Sequence, residues 1–521
     1  MYLRGQFSIR AVIALAFLTC SPAAYGRETS DWLKCDGFPK PGAEARQAAA
    51  ATGALLTLGL SGIFGSPEYR LTRPAAHGAD GVAACSNVLT SPQVANQPVR
   101  RAQLLRARAM HHLENGDSAS VLSDIAQADA LHADFSESEI LTVSSSVQAG
   151  LIEALALARL GRHLEASERA GAAADLRPHS FHVQRLAAQI MRLDPFLDEH
   201  KERVFKRLVQ FSPLMRYSYA EMLDWTGDIE AAADEWDRYI AARTEQMQQS
   251  DRQEKASVPG LISAALAAAR AGRIERSTEL LSQANTEAER QSTAGAEIAP
   301  ATRRYLREQT PGVLFVSLVA QRDFAAAANV KVEGLEGRPA VYEALAHFRN
   351  EAWEVEEARE NERDNRLLEI TNAAFVASLP NVELNPYTGY ARMKNLGKKP
   401  NSLRPDEKEI VFVDSRAPLP AIDEMAMLNA ATQTQLSGAT HFIIMSHVSL
   451  TSNEARRIAA TQSTGVYDSG PNGGMVVFSF MPVANSSAIS KDAETRMISA
   501  SDVINDLHAR YMPTTTSQST R

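Results

Sequence analysis

A recurring pair of helical patterns joined at a glycine is the feature that most constrains how this chain can fold. In the clearest unit, Ala154 precedes the turn residue Gly161 by seven positions, and Ala166 and Ala173 follow it by five and twelve. Pro178 closes the unit, because proline cannot continue a helical hydrogen-bond ladder. Small residues allow close helix crossings, and glycine favours the left-handed conformation that ends a helix. The pattern predicts two antiparallel helices per unit.

These positions resemble those of tetratricopeptide repeats, a family that places a small residue before the turn glycine, alanines after it and a proline at the end. Three further stretches, 102–135, 213–243 and 258–289, follow the pattern less completely. Val121 and Ser277 stand where the first alanine after the turn is expected. The repeat-packing positions are Ala109, Gly116, Ala154, Gly161, Ala166, Ala173, Pro178, Ala220, Gly227, Ala232, Ala265 and Gly272.

The array is predicted to be interrupted or degenerate, because segments 181–210 and 290–310 do not follow the period. A fifth stretch near 315–330 has Asp323 and Ala327 but no turn glycine. Stacked repeats complete each other's core and expose a concave groove that commonly binds peptides. The resemblance therefore implies a protein or peptide partner. Groove positions expected on the first helix of each unit are Arg106, Arg108, Asn115, Glu153, Arg159 and Asp224.

The N-terminus matches a secretory signal peptide. Arg4 and Arg10 give a positively charged start, an apolar run covers 11–18, and a small-residue cleavage site ends at Gly26. The rival interpretation is a lipoprotein signal that ends at Cys20 and leaves a lipid anchor. We expect a periplasmic or secreted protein, with an outer-membrane lipoprotein as the alternative.

Two cysteines, Cys35 and Cys85, remain if Cys20 leaves with the signal. An even pair in an oxidising compartment predicts a disulfide, and two buried free thiols are the alternative. The nearby run 48–65 has no charged residue but several glycines. It is too short and too rich in small residues for a typical membrane span, so a packed helix and turn is expected there. Membrane insertion of this run is the alternative, and peripheral membrane association of the protein is left open.

After residue 409 the pattern changes from helical repeats to short apolar runs. The runs at 409–413, 441–445 and 474–481 predict strands, and helices fit 420–436 and 500–510. This order predicts a compact β-α-β-β-α module. The fold class is therefore mainly α, a tetratricopeptide-like solenoid followed by a small C-terminal α/β domain.

The stretch from Ala430 through Gly438 to Phe442 resembles a small domain of unknown function found in bacterial envelope lipoproteins. That resemblance implies no active site. His441 and His447 would share one face of a strand, but a separation of about 20 Å is too great for one metal ion. No metal site is predicted.

With 521 residues, the chain exceeds the size at which single hydrophobic cores stop growing. Charged helices with a solvated face are expected at 338–376, and a segment rich in proline and glycine follows them. The predicted parts are a signal peptide at 1–26, a disulfide-pinned cap at 27–96, a repeat domain at 97–376, a linker at 377–408, an α/β domain at 409–512 and a disordered tail at 513–521.

The sequence favours binding over catalysis. A net charge of −8 and a pI near 5.9 argue against a nucleic-acid partner. No nucleophile elbow, phosphate-binding loop, zinc spacing or dinucleotide motif occurs in a convincing context, so neither a catalytic residue nor a cofactor is predicted. The leading hypothesis is an exported protein-binding scaffold or adaptor of the cell envelope. The alternatives are an envelope enzyme with its catalytic part near Asp414, and a lipid-anchored structural protein. The oligomeric state stays open.

Overall fold

A computed structural model describes residues 30–38, 74–132, 139–248, 257–293, 295, 299–331, 341, 343–344, 353–380, 390–395, 407–414, 417–451, 474–484 and 491–511. The predicted signal peptide, Cys20, the apolar run 48–65 and the tail lie outside these residues. The chain divides into two compact units, Met1–His111 and His112–Arg521.

Helices dominate the described residues, and a small sheet lies near the C-terminus, which confirms the predicted fold class. The helices are α1 Asp31–Asp36, α2 Gly78–Leu89, α3 Pro92–Ala95, α4 Pro98–Glu114, α5 Ser118–His132, α6 Glu139–Arg159, α7 His163–Asp175, α8 Phe181–Met191, α9 Glu199–Phe211, α10 Arg216–Thr226, α11 Ile229–Gln248, α12 Val258–Arg270, α13 Ile274–Thr293, α14 Ala299–Ala320, α15 Phe324–Ala327, α16 Trp353–Thr371, α17 Ala373–Val376, α18 Leu419–Leu436, α19 Lys491–Glu494 and α20 Ala500–Tyr511.

The first unit is closed by a disulfide between Cys35 of α1 and Cys85 of α2, whose Cα atoms lie 4.7 Å apart. This bond confirms the predicted pairing. Both cysteines are fully buried in a cluster that includes Trp32. Arg100 of α4 bonds the Asp36 carboxylate and lies 5.5 Å over the Trp32 ring. The ion pair and the ring contact therefore hold α1 against α4.

Left-handed turns join the helix pairs at the positions that the repeat pattern indicates. Gly116, Gly161, Gly227 and Gly272 have φ angles of 78°, 74°, 86° and 70°. In the fifth stretch, which lacks a glycine, Arg322 takes the same role with φ of 59° between α14 and α15. The turn conformation is thus retained where the favoured residue is missing.

Consecutive helices from α5 to α14 pack against one another, and we call them the helical array. Alanines predicted at the helix crossings are buried, namely Ala109 in the first unit and Ala154, Ala166, Ala173, Ala220, Ala232 and Ala265 in the array. Among the described helices, α6 has the length and hydropathy of a membrane span, with a mean hydropathy of 1.5. However, 72% of the apolar stretch of α6 is buried within the fold, as expected for the central helix of a core.

Of the two predicted outcomes for 181–210, interruption or degeneracy, the structure shows a degenerate unit, because α8 and α9 form a packed pair there. A longer loop at 192–198 replaces the glycine turn. The Lys201 ammonium donates to the Asp194 carboxylate at 2.9 Å and to the Asp194 carbonyl at 2.8 Å. Both side chains are buried, so this ion pair braces the loop.

The C-terminal module contains a five-stranded sheet in the order β1-β2-β4-β3-β5, with antiparallel neighbours throughout. Its strands are β1 Tyr390–Asn395, β2 Lys408–Asp414, β3 His441–Thr451, β4 Gly474–Val483 and β5 Ile498–Ser499. Strand β1 lies in the segment that the sequence predicted as a linker. Helices α18 and α20 pack together, and α18 also contacts β2, β3 and β4.

The sheet and the helical array share one hydrophobic core. Phe211 of α9 belongs to the same buried cluster as Phe478 of β4. The Phe181 ring of α8 lies 5.7 Å from the Phe211 ring and 4.5 Å from the His447 ring of β3. The module is therefore built against the array within the second unit.

Candidate functional site

The residues predicted to line a groove are mostly engaged by neighbours in the fold. In the first unit, Arg106 is buried, and Arg108 donates to the Ser86 hydroxyl at 3.3 Å. In the second unit, Asn115 is exposed in the turn before α5. Partner binding by these three residues stays a prediction.

The other three predicted residues hold helices of the second unit together. Glu153 accepts a bond from Arg169 at 2.5 Å. Asp224 pairs with Arg270 of α12. Arg159 donates to the Leu113 carbonyl and, at 2.9 Å, to the Thr371 carbonyl. Partner binding by these three residues also stays a prediction. A separate cleft is lined by other residues.

That cleft has a volume of about 680 Å³ and lies in the second unit, where the loops after α6 and α8 and the end of α10 meet α16. Two large apolar side chains are exposed in it, Leu164 at 50% and Phe196 at 68%. Its lining residues are Gly161, Arg162, His163, Leu164, Glu165, Asp194, Pro195, Phe196, Trp225, Thr226, Arg359 and Arg363. We call this site the loop cleft.

Helix α16 is held against the ends of other helices by arginine side chains that donate to backbone carbonyls. The last carbonyls of a helix lack partners in the helix and carry partial negative charge, so they attract guanidinium groups. Arg366 of α16 donates to the Arg192 carbonyl after α8 at 2.8 Å. It also lies 4.3 Å over the Trp225 ring of α10. Arg366 therefore anchors α16, which lies in the segment predicted to form charged helices.

The same helix gives the loop cleft its basic side. Arg359, Arg363 and Arg366 recur at spacings of four and three residues, which places them on one side of α16. Arg359 pairs with Glu343 at 2.8 Å. Arg363 lines the cleft and forms no hydrogen bond or ion pair with the residues that the structure describes. Its charge is available to a ligand.

Three buried polar atoms, each in a residue that lines the cleft, lack a hydrogen-bond partner within the described parts of the chain. They are Trp225 Nε1, His163 Nδ1 and Arg363 Nε. Burial, followed by the charge of Arg363, lowers the pKa of His163, so its ring is neutral at pH 7. Unsatisfied buried polar groups cost about 1–3 kcal/mol each.

A second polar cluster lies at the junction of the array and the module, around two adjacent carboxylates of α18. Glu424 accepts bonds from Arg177 at 3.0 Å, from Arg510 at 2.9 Å and from the Tyr511 hydroxyl at 2.5 Å. The Glu424 and Arg177 side chains are 0% and 1% exposed. These bonds satisfy a charge that burial would otherwise make very unfavourable.

The neighbouring Asp423 binds the start of α8 to the sheet. It accepts bonds from the His182 backbone N–H at 2.8 Å, the Ser180 hydroxyl at 3.2 Å and the Ser449 hydroxyl at 2.8 Å. Nε2 of His447 lies 3.5 Å away. Burial opposes the charge of Asp423, but the His447 contact and the hydrogen bonds outweigh it and lower the pKa of Asp423. We call the two carboxylates and their partners the seam cluster.

A serine, a histidine and an aspartate are the residue types of a nucleophilic triad, yet their arrangement here is different. The Ser449 hydroxyl bonds Asp423, where a nucleophile would bond the histidine. The side chains of His447 and Asp423 are 1% and 0% exposed. The contacts of the seam cluster therefore indicate a structural connection between sheet and array. Asp414, the residue favoured by the enzyme hypothesis, ends β2 opposite Gly474.

The prediction that His441 and His447 share a face is wrong. The register of β3 against β4 shifts between Ile444 and Ser446, so one extra residue reverses the alternation of side chains. His447 pairs with Phe478 on the core face, and His441 lies on the opposite face before the shift. The bulge brings His447 to Asp423.

A smaller cleft of about 360 Å³ opens beside the seam cluster, between α9 and β5. Arg207 and His179 line it together with Glu494 and Asp502. Asp506 holds His179 at 2.9 Å. Because both signs of charge are present, this lining does not indicate one ligand chemistry.

No family model, curated protein or solved structure matches the chain. The residues of the loop cleft were not selected from the sequence because they come from four separate segments. One signal was visible: Phe196 lies in the loop after α8, and binding residues are found disproportionately on loops that a rigid scaffold positions. The geometry of the loop cleft is thus the main guide to function.

Proposed function

We propose that this protein is an exported scaffold or adaptor of the bacterial cell envelope that holds a segment of a partner protein in the loop cleft. The observation that carries the proposal is the exposure of Leu164 and Phe196 in a concave site. Large apolar side chains exposed together at a cleft are typical of surfaces that another protein covers.

The frame around the cleft supports binding of a partner without large rearrangement. Arg366 fixes α16 to the ends of α8 and α10, and Lys201 braces the loop that carries Phe196. A preorganised site loses less conformational entropy on binding. The repeat pattern supports a peptide as the partner, because tetratricopeptide-like arrays usually bind peptides. It does not by itself select the loop cleft, since none of the predicted groove residues lines it.

The export half of the proposal rests on the signal-like N-terminus and on the Cys35–Cys85 disulfide. Disulfides persist in oxidising compartments such as the bacterial periplasm. Fractionation of cells that express the protein tests this half directly. A membrane-bound fraction that becomes periplasmic with Cys20→Ser would indicate lipid anchoring instead.

An affinity pull-down from envelope extract tests the binding half. The bait is the exported full chain, compared with Phe196→Asp and with Leu436→Asp as the matched control. Leu436 is 74% exposed at the end of α18 and does not line the loop cleft. We expect the partner to be lost with Phe196→Asp and retained with Leu436→Asp. Equal recovery with both variants would refute binding at the loop cleft.

A further inference from the structure

We infer that the segment held in the loop cleft presents a carboxylate beside an apolar side chain. This inference rests on the proposed function and adds the chemistry of the partner. It follows from which charges in the cleft are already paired and which are not.

The acidic residues of the cleft already form ion pairs with neighbouring residues. Glu165 accepts a bond from Arg162 Nε at 2.7 Å, and both belong to the turn and first residues of α7. Asp194 forms the buried pair with Lys201. The negative charges of these acids are therefore compensated, which reduces their repulsion of a ligand carboxylate.

One of the basic residues of the cleft forms no ion pair within the described parts of the chain. Arg162 is used by Glu165, and Arg359 is used by Glu343. Arg363 has neither an ion pair nor a hydrogen bond in the described parts of the chain. Three arginines and two acids line the cleft, which gives it a net positive charge on a chain whose net charge is −8.

A guanidinium matches a carboxylate because two parallel N–H groups can bond its two oxygens. Arg366 already satisfies the nearby Arg192 carbonyl, so that helix end is occupied. The guanidinium of Arg363 therefore favours an anionic group over a cationic one.

Leu164 and Phe196 specify the second part of the ligand. They offer exposed apolar surface in the same cleft as Arg363. A free inorganic anion would leave that surface uncovered, whereas a peptide with Leu, Ile or Phe next to an acidic group covers it. The carboxylate can come from an Asp or Glu side chain or from a peptide C-terminus.

Two arrays of random heptapeptides, one with free C-terminal carboxylates and one with amides, test the inference with the full-length exported protein. We expect bound peptides to pair an apolar residue with a carboxylate. Binding confined to the free-acid array identifies a C-terminal carboxylate, and binding to acidic sequences on both identifies a side chain. Arg363→Gln should weaken binding about tenfold, the expected loss for one charge-assisted contact.

Arg304→Gln is the matched control, because Arg304 is an exposed arginine of α14 outside the cleft that pairs with Glu308. It should leave peptide binding unchanged. Peptides that bind without any carboxylate, equally to the wild type and to Arg363→Gln, would overturn the inference while the proposed function stands. If the proposed function is itself wrong, the result is different: the Phe196→Asp variant binds every peptide with the same affinity as the wild type.

Discussion

Arg177 and Glu424 form a buried ion pair, 3.0 Å apart, that joins the end of α7 to α18. Arg510 and Tyr511 of the last helix bond the same carboxylate. The pair connects the helical array with the C-terminal module across 247 positions of sequence. Because a buried charge is tolerated only with partners, this contact fixes how the two parts meet.

Glu424→Gln tests that role. The substitution removes the anion that Arg177 and Arg510 share, and Arg510 keeps its 3.5 Å contact with Glu139. We expect a loss of about 3–5 kcal/mol in the free energy of unfolding. Urea unfolding followed by circular dichroism measures it. Glu165→Gln, in an exposed pair with Arg162, is the control and should cause no measurable loss. Equal stability of the two variants would show that the buried pair has no special role.

Asp423 predicts a specific sensitivity to acid. Its pKa in the folded protein is lowered from the ordinary value of 3.8, since the His447 contact and the hydrogen bonds outweigh the effect of burial. A carboxyl whose pKa is lower in the folded protein than in the unfolded chain stabilises the fold at pH values above its unfolded-state pKa. This contribution is lost as the pH falls through its folded-state pKa. Unfolding free energies should therefore decrease below about pH 4.

Asp423→Asn isolates the contribution of that carboxyl, because it removes the titrating group and keeps the shape. We expect the variant to be less stable near pH 7 and to lose less stability than the wild type between neutral pH and pH 3. Parallel pH profiles for the two proteins would contradict the assignment of the lowered pKa.

The turn at Arg322 predicts a stabilising substitution. A residue with a side chain at φ of 59° is strained by about 1–2 kcal/mol, and glycine removes the strain at some entropic cost. Arg322→Gly should raise the unfolding free energy by about 0.5–1 kcal/mol. Gly161→Ala, at a turn with φ of 74°, should lower it by a similar amount. Thermal unfolding of both variants checks the opposite signs, and a destabilised Arg322→Gly would contradict the interpretation.

The disulfide should contribute strongly to the first unit. It closes a loop with a sequence separation of 50, for which the chain-entropy model gives about 4 kcal/mol. The double variant Cys35→Ser with Cys85→Ser should lose that amount in urea unfolding. A reductant should destabilise the wild type and leave the double variant unchanged. A wild type that is insensitive to reductant would argue against the bond.

The sequence predicted the features that depend on local chemistry. The turn glycines and the crossing alanines repeat within short windows, and the disulfide was the one pairing that two cysteines allow once Cys20 is set aside. The pair α8 and α9 was missed because its turn is held by the buried contact between Asp194 and Lys201, which leaves no glycine to mark it. A period search detects residue types at fixed spacings and does not detect such contacts.

Features that join distant segments were not predicted. The bulge after Ile444 turns His447 toward the core, and no residue of β3 marks it in advance. The seam cluster did leave a trace, because Asp423 and Glu424 are the only charged residues of α18. Adjacent carboxylates in an otherwise uncharged helix could have indicated buried partners. The loop cleft needed the structure, since Leu164, Phe196 and Arg363 meet only after folding.

Photo-crosslinking in intact cells tests binding at the loop cleft most directly. The crosslinker p-benzoylphenylalanine replaces Phe196, whose side chain it resembles, and in a parallel strain it replaces the exposed Leu436. We expect a discrete adduct with one envelope protein from position 196 and none of that size from position 436. The absence of an adduct at 196, or the same adducts from both positions, would contradict the scaffold function.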